Sequence, residues 1–283
     1  MKILLNFITE SLGDNIAFSA YADAYQKKHN CDLYVKTVWS NIFQTDNDKV
    51  HFISSIGQEV FDKQIDIEFE FVDKPLQKII CDKLDLDYKE VVPRVKTETG
   101  QKFEKKKKYV CISTHSTAQM KYWTDGGWDK TVKYLKNLGY DVYTIDKYEI
   151  FGAEPKWNKI PSKAFNETGD RPIQYRIEQI KNCDFFIGLS TGLSWLAWAL
   201  GKKVVMISGC TDSHSEFSSN NYRVINESVC HGCLNDVSID NKKRILSEGW
   251  MYCPRNKNFE CSKKISFEMV KQKIDKCIKE INE

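Results

Sequence analysis

The spacing of apolar residues changes several times along the second half of the chain. Short apolar runs predict buried β-strands, and between them apolar positions recur every three or four residues, which is typical of helices. The predicted strands are KYVCIST (108–114), YDVYTI (140–145), CDFFIGL (183–189) and KKVVMISG (202–209). The predicted helices carry Trp128, Val132 and Leu135, then Ile173, Ile177 and Ile180 within 171–182, then GLSWLAWAL (192–200). A β-α-β-α-β-α-β order predicts parallel strands with right-handed crossovers, as in a Rossmann-like lobe.

The first half of the chain is less regular but also mixes strands with helices. Its predicted strands are MKILLNF (1–7), CDLYVKT (31–37) and IDIEFEF (65–71), and its predicted helices are 14–28 and PLQKIICDKLDL (75–86). At the other end of the chain, apolar residues at 267, 270, 274 and 278 predict a terminal helix over 266–281, with Ser266 as its N-cap.

A polar segment over 96–108 separates the two halves. We therefore predict an α/β protein with an N-terminal Rossmann-like lobe at 1–105 and a C-terminal lobe at 106–283. In open α/β sheets ligands bind at the carboxyl ends of the strands, so residues just after each strand are the candidate site.

Composition excludes several classes of protein. The chain has 283 residues, and no apolar run approaches the roughly 20 needed to cross a bilayer. Its 42 basic and 39 acidic residues give a net charge of +3, which does not favour nucleic acid as a partner. The KKKK run at 105–108 is interpreted as a solvated linker. The N-terminus is not typical of a signal peptide, so we expect a cytoplasmic protein.

The segment SLGDN (11–15) follows the first predicted strand and begins a helix. There the helix macrodipole would favour the ionised form of Asp14. An ionised carboxylate facing a cleft could act as a general base on a hydroxyl group. Aspartate is also a common N-cap, and the residues alone do not separate the two roles.

Two further polar segments follow strands of the second lobe. In STHSTAQMKYW (113–123), the hydroxyl, amide and ammonium groups suit a diphosphate leaving group: Ser116, Thr117, Gln119 and Lys121. An ordinary polar loop is the alternative. In GLSTG (188–192), the small residues Ser190, Thr191 and Gly192 would let backbone N–H groups at a helix start approach an anion. The rest of that helix, with two tryptophans, is interpreted as core.

Four of the ten cysteines lie close together in the sequence: Cys230, Cys233, Cys253 and Cys261. Four thiolates can hold one tetrahedral metal ion and leave no open coordination position, which indicates a structural metal. Iron and zinc both suit four sulfurs. Disulfides are the alternative, although no secretion signal supports them. We place this metal knuckle at 226–265.

Together these motifs resemble a known family. SLGDNIAF, STAQMKYW, GLSTGLSWLAWALGKKVVMISG, EFSSNNYRVIN and the CHGC…WMYCP…C cluster are similar to motifs of the bacterial autotransporter heptosyltransferases. Those enzymes are related to the lipopolysaccharide heptosyltransferases and share the GT-B fold of two facing Rossmann-like lobes. The sequence has Ser-Thr-Gly at 190–192, where the lipopolysaccharide enzymes have Asp-Thr-Gly, which favours the autotransporter branch.

The resemblance implies an inverting transfer of heptose from ADP-heptose to a serine hydroxyl of an acceptor protein. It assigns Asp14 as the base, and Lys121 with the N–H groups of Thr191, Gly192 and Leu193 as the diphosphate site. No catalytic divalent ion is expected, and the four cysteines correspond to a structural iron site. Family members carry a further N-terminal domain before the first strand, whereas this sequence begins at that strand; a homo-oligomer is one expected state.

The segment SGCTDSHSEF (208–217) follows the last predicted strand, and His214 and Glu216 are candidates for contacts to the adenosine or the sugar. A solvated loop is the alternative. Two other functions compete with heptosyl transfer to a protein. One is a GT-B transferase with another nucleotide sugar or a glycan or small-molecule acceptor, and the other is a non-catalytic nucleotide-sugar-binding or scaffold protein.

Overall fold

The computed structural model describes residues 1–104, 108–123, 126–153, 156–240 and 251–283. Its strands are β1 Lys2–Phe7, β2 Asp32–Lys36, β3 Val50–Ile53, β4 Lys63–Ile67, β5 Tyr109–Ser113, β6 Asp141–Thr144, β7 Ile150–Ala153, β8 Lys156–Lys159, β9 Phe165–Asn166, β10 Phe185–Leu189, β11 Val204–Ile207 and β12 Asn221–Val224. Its α-helices are α1 Leu12–Ser19, α2 Ala22–His29, α3 Leu76–Lys83, α4 Gly127–Asn137, α5 Ile173–Lys181, α6 Gly192–Ala199, α7 Glu260–Lys263 and α8 Phe267–Asn282.

The strands form two parallel sheets and one hairpin. The first sheet has the order β3-β2-β1-β4, and the second has the order β12-β11-β10-β5-β6-β9. The central strands β5, β10 and β11 are buried along their whole length, because helices cover both faces of a parallel sheet. β7 and β8 pair antiparallel outside both sheets. The predicted α/β class with parallel strands is confirmed.

Several predicted elements differ from the structure. The helix predicted over 14–28 is two helices, because the chain turns at Ala20 and Tyr21 between α1 and α2. The strand predicted over 65–71 ends at Ile67, where its pairing with β1 ends. The strands β3, β7, β8, β9 and β12 were not predicted; none is longer than four residues, β3, β9 and β12 lie at sheet edges, and β7 and β8 form the separate hairpin.

The terminal helix was predicted well. α8 begins after Ser266, whose side chain accepts a hydrogen bond from the Met269 N–H, as expected for an N-cap. Its buried face is Val270, Ile274 and Cys277. The predicted lobe boundary at 105/106 lies at residues 105–107, outside the described residues, and part of the predicted knuckle (241–250) also lies outside them.

The two lobes meet where the N-terminal ends of α1 and α6 face each other. A Cβ added to Gly192 would lie 2.8 Å from Leu12 Cβ and 3.1 Å from Gly13 N. Only glycine allows this approach without displacing backbone. One hydrophobic core runs through both lobes and includes residues of β1, α1 and α6. The lobes therefore hold the ends of these two helices in a fixed relation.

A carboxylate adds a polar connection between the lobes. Both oxygens of Glu90, in the extended segment after α3, accept hydrogen bonds from the backbone N–H and hydroxyl groups of Ser218 and Ser219. The Leu76 N–H also donates to Ser215 O across the interface, at 2.8 Å. Within the described ranges, no helix has the length and apolar character that a membrane crossing requires.

Candidate active site

A cavity of about 470 Å³ lies between the lobes, at the carboxyl ends of both parallel sheets. Its volume falls in the range of roughly 300–1,000 Å³ that is typical of small-ligand sites. Its walls come from the segments that follow β1, β4, β5, β10 and β11. They include these predicted site residues: Asp14, Thr117, Lys121, Ser190, Thr191, Gly192 and Glu216.

Asp14 faces this cavity from the first turn of α1. It is the third residue of the helix rather than its N-cap, which is Ser11. The Thr9 hydroxyl donates to Asp14 Oδ2 at 3.0 Å. The loop before the helix is held by Asn15, whose Nδ2 donates to Thr9 O and Ser11 O, each at 2.8 Å. The side chain of Asp14 therefore projects from the first turn of a helix whose preceding loop is held in place.

Burial raises the pKa of Asp14 above the ordinary aspartate value. The hydrogen bond from Thr9 and the positive charge of Lys121 oppose this rise without cancelling it. Loss of solvation therefore outweighs the groups that favour the ionised form of this carboxylate. A less acidic carboxylic acid is the conjugate of a stronger base, which suits proton removal from a hydroxyl group.

Lys121 reaches the same cavity from the opposite lobe. It ends the short 3₁₀ helix Gln119–Lys121 after β5, and its Nζ donates to Ser190 O at 2.8 Å. This bond links the segment after β5 to the segment after β10. The ammonium is thereby fixed beside the start of α6. It is also close enough to Asp14 for its positive charge to lower the pKa of that carboxyl group.

The N-terminus of α6 forms the third part of the wall. Its first helical hydrogen bond runs from Ser194 N to Thr191 O at 3.1 Å, so the N–H groups of Gly192 and Leu193 precede the helical hydrogen-bond pattern. The Thr191 hydroxyl is buried and has no hydrogen-bond partner within the described part of the chain. Such a helix start can accept an anion.

Glu216 lies in the cavity wall and is buried. Its Oε1 accepts hydrogen bonds from the hydroxyl groups of Ser190 and Thr211, and its Oε2 accepts from Arg223 of β12. Burial alone would raise the pKa of Glu216, but Arg223 and the Ser190 hydroxyl outweigh it and hold the pKa below the ordinary value. Glu216 is therefore a buried carboxylate whose oxygens already have three protein donors.

Other predicted site residues lie outside the cavity wall. The Ser116 hydroxyl accepts from the Ala118 N–H at 3.1 Å and shapes the loop after β5. Gln119 is buried, and the Leu193 side chain packs against the core. His214 is at the surface, where its Nε2 lies 2.8 Å from Asp73 Oδ1. Their predicted contacts to the donor stay predictions.

Part of the wall was missed by the sequence analysis. Phe69, Phe71 and Val72 line the cavity from the segment after β4, which was predicted to be strand. Trp195, interpreted as core only, is buried and also lines the cavity. The rule that ligands bind beyond the carboxyl ends of strands would have indicated 68–75, had the end of β4 been placed correctly.

Among the candidate metal ligands, Cys233 belongs to a small apolar cluster with Leu234 and Phe71, both of which line the cavity. The Lys257 N–H donates to Cys253 Sγ at 3.2 Å, and Arg255 Nη1 lies 3.5 Å from Cys230 Sγ. Burial raises the pKa of the Cys233 thiol, and the charges of three neighbouring cysteines raise it further. Those neighbours are Cys210, Cys261 and Cys253.

The residue types suit a four-sulfur site, but within the described ranges the structure does not gather three of these sulfurs within 4.8 Å of one another. All ten cysteines lie in the described ranges, and the structure has no disulfide between them. N–H donors toward sulfur are suited to thiolates. Within the described ranges, however, the group of three potential metal-ligand residues whose ligand atoms all lie within 4.8 Å of one another is Asp73, Asp212 and His214. That group is partly exposed and is not part of the wall described above.

Comparison with known proteins shows the family to which this chain belongs. The model of glycosyltransferase family 9 (heptosyltransferase) matches residues 55–244, which is more than half of the chain. The autotransporter heptosyltransferase BAHTCr of Citrobacter rodentium is 33% identical over 284 residues, which cover 93% of this chain and 68% of the relative. The autotransporter heptosyltransferase TibC of Escherichia coli O78:H11 is 32% identical over 305 residues, which cover 99% of this chain and 72% of TibC.

The fold agrees with this comparison. The crystal structure of dodecameric iron-containing heptosyltransferase TibC, in complex with ADP-D-beta-D-heptose, matches with a TM-score of 0.87 and 30% identity over 99% of this chain and 77% of TibC. The resemblance to autotransporter heptosyltransferases that the motifs indicated is thus confirmed. The chain is a glycosyltransferase with two facing α/β lobes, and it belongs to glycosyltransferase family 9, the heptosyltransferase family.

Proposed function

We propose that this enzyme transfers a heptosyl group from ADP-heptose to a serine hydroxyl of an acceptor protein, with inversion at the anomeric carbon. One observation carries the proposal: the Asp14 carboxylate and the Lys121 ammonium line the same cavity from opposite lobes. A base on one side and a cation beside a helix N-terminus on the other side match the two ends of a displacement reaction.

In this reaction Asp14 removes the proton of the serine hydroxyl. The oxygen forms a bond to the anomeric carbon from the face opposite the diphosphate. The bond from that carbon to the phosphate oxygen breaks, its electron pair leaves with ADP, and the configuration inverts. Lys121 and the N–H groups of Gly192 and Leu193 stabilise the negative charge that develops on the diphosphate. These groups supply the positive charge, so we propose that no catalytic divalent ion is needed.

Support for the donor comes from TibC, whose structure was solved in complex with ADP-D-beta-D-heptose. The similarity to TibC covers 99% of this chain. TibC is also a dodecamer, and we extend the proposal to a homo-oligomer of this chain. Thr117 lies in the cavity wall beside Lys121, where its hydroxyl could donate to a phosphate oxygen. The protein acceptor and its serine follow from the family resemblance.

The test is a transfer assay with matched donors and acceptors. The enzyme is incubated with ADP-heptose, or with UDP- and GDP-linked sugars, and with a candidate acceptor protein in two forms, one with its modified serines replaced by alanine. ADP release, acceptor mass and the anomeric configuration of the product by NMR are measured. We expect transfer from ADP-heptose to the serine-containing form, with inverted configuration.

Each part of the proposal can fail separately. Transfer from a UDP- or GDP-linked sugar in preference to ADP-heptose would show that the donor is wrong. Equal modification of the alanine form would exclude serine as the acceptor residue. A product with retained configuration would exclude direct displacement by an oxygen that Asp14 activates. Full activity in EDTA is expected, and loss of transfer that Mg²⁺ restores would contradict the proposal about divalent ions.

We further propose that Cys230, Cys233, Cys253 and Cys261 hold one structural iron ion, with zinc as the alternative. Support comes from the four-sulfur donor set, from the N–H groups directed at two of the sulfurs, and from TibC, which contains iron. A metal ion held by four thiolates fixes the loops that carry them and has no position for substrate. This knuckle would order Leu234 and Asn235, which line the cavity.

Replacing Cys233 by serine should reduce bound metal from about one ion per chain to nearly none, because losing one of four thiolates weakens a structural site strongly. Iron and zinc are measured by elemental analysis of the purified, folded protein. Cys210→Ser is the matched control, since Cys210 is a buried neighbour of Cys233 that is not among the proposed ligands. Full metal content in Cys233→Ser, or its loss only in Cys210→Ser, would show that the ligand set is wrong.

A further inference from the structure

We infer that Arg223 is a positioning residue for the donor. It neutralises Glu216 in the wall of an anion-binding cavity, and through Glu216 it holds the Ser190 turn that fixes Lys121. The inference rests on the proposed function, since it assumes that the cavity binds a nucleoside diphosphate. Arg223 lies outside the wall of this cavity, and sequence patterns gave no indication of its role.

The contacts form a continuous buried chain. Arg223 Nη1 pairs with Glu216 Oε2, and the two side chains are 9% and 5% exposed. Arg223 Nη2 donates to Thr211 O at 3.0 Å and to Thr211 Oγ1 at 2.7 Å. Thr211 Oγ1 in turn donates to Glu216 Oε1 at 3.0 Å. The guanidinium thus holds the carboxylate directly and through a hydroxyl group.

The same carboxylate also holds the segment that carries Ser190. Glu216 Oε1 accepts from the Ser190 hydroxyl, and the Ser190 carbonyl accepts from Lys121 Nζ at 2.8 Å. Ser190 also directly precedes Thr191 and the N-terminus of α6. A displacement of Glu216 would therefore move the carbonyl that holds Lys121 and the helix start that faces the diphosphate.

Charge gives Arg223 a second effect. A carboxylate in the wall of a cavity that binds a diphosphate would repel that ligand, and burial weakens the screening of this repulsion. Arg223 offsets the charge of Glu216, so that Glu216 does not cancel the positive charge of Lys121, which lies close enough to act on it. Without Arg223, Glu216 would either repel the donor or take up a proton and release Ser190.

A charge-based role differs from a merely structural one in two measurable ways. Removing Arg223 should weaken an anionic ligand more than a neutral one. Removing both charges together should also restore much of what removing Arg223 alone loses. A structural role predicts equal effects on both ligands and an additive or greater loss in the double variant.

The experiment measures binding of ADP and of adenosine by calorimetry at about pH 8, which favours the ionised form of Glu216 over the protonated form. The variants are Arg223→Met, Glu216→Gln, the double variant, and Arg223→Lys, which keeps the charge. We expect Arg223→Met to weaken ADP binding at least about tenfold and adenosine binding by less than about threefold. The double variant should recover to within about threefold of the parent, and Arg223→Lys should lose less than Arg223→Met.

Several results would overturn the inference. Unchanged ADP affinity in Arg223→Met would do so, and so would equal losses for ADP and adenosine. A double variant weaker than Arg223→Met would show that the pair acts only by packing. If Arg223→Met does not fold, a folded double variant with near-parental ADP affinity still supports the charge argument, whereas a weakened one contradicts it. A parent enzyme that binds no ADP would instead refute the proposed donor, and this inference with it.

Discussion

Replacing Asp14 by asparagine should lower the rate of sugar transfer by roughly a hundredfold to ten-thousandfold and leave donor binding almost unchanged. Asparagine has nearly the same shape and can still accept the hydrogen bond from Thr9. It cannot take a proton from the acceptor hydroxyl at neutral pH. The loss should therefore appear in kcat, measured by ADP release and acceptor mass at saturating donor.

A matched control is available in the next helix. Asp23 also lies in the first turn of its helix, α2, and its Oδ1 accepts from the Thr45 hydroxyl at 2.7 Å, but it lies outside the wall of the active-site cavity. Asp23→Asn makes the same chemical change and should keep transfer near the parental rate. If Asp14→Asn transfers sugar as fast as Asp23→Asn, the assignment of Asp14 as the base is wrong.

The pH profile gives an independent check of the same carboxylate. The base must be ionised to accept a proton, so kcat/KM should rise with pH as Asp14 loses its proton. Because burial raises the pKa of Asp14, this rise should be centred above the ordinary aspartate value. The residual activity of Asp14→Asn should lack this step, and a step that persists unchanged in the variant would have to come from another group.

Replacing Lys121 by alanine should lower kcat/KM by at least roughly a hundredfold, because removing one positioned donor to a developing anion costs about 3–4 kcal/mol of transition-state stabilisation. The ammonium lies at the cavity wall, beside the start of α6, and donates to Ser190 O. Negative charge on the diphosphate grows as the glycosidic bond breaks. We therefore expect kcat to fall as well as donor affinity.

Lys202 provides the comparison for Lys121. It belongs to the same lobe, and its Nζ donates to a backbone carbonyl, Cys183 O, at 2.9 Å, but it lies outside the wall of the active-site cavity. Lys202→Ala removes the same type of contact and should retain transfer within about threefold. A rise in KM alone for Lys121→Ala, with kcat unchanged, would mean that the lysine binds the donor without stabilising the transition state.

Periodicity predicted the architecture correctly where the elements are buried and regular. Strands such as β5 and β10 are buried on both faces, so they appear in the sequence as continuous apolar runs. The alternation of such runs with amphipathic helices was enough to predict parallel strands. It failed for β3, β12 and the end of β4, where short edge strands have few buried positions and therefore a weak pattern.

The candidate site was predicted in part, for a topological reason. Segments that follow parallel strands meet at one edge of a sheet, so SLGDN, the Lys121 loop and the turn at 190–192 could be identified from their positions after strands. A residue that affects the site only through another residue has no such position in the sequence by which it could be identified. Arg223 lies within β12, and the role that we infer for it depends on its contact with Glu216, seven residues earlier in the chain.

The sequence by itself determined the α/β class, the buried central strands, the family and part of the cavity wall, because these depend on local spacing and on short motifs. Only the tertiary structure decided the balance of charge at the site. The pKa of Asp14 is raised because packing of the two lobes removes water from a carboxylate that its helix position alone would have kept acidic. Glu216 stays ionised because folding places Arg223 against it. In the cysteine-rich stretch, spacing predicted a four-sulfur site, and only the tertiary structure showed that Cys210, distant in this pattern, lies near Cys233.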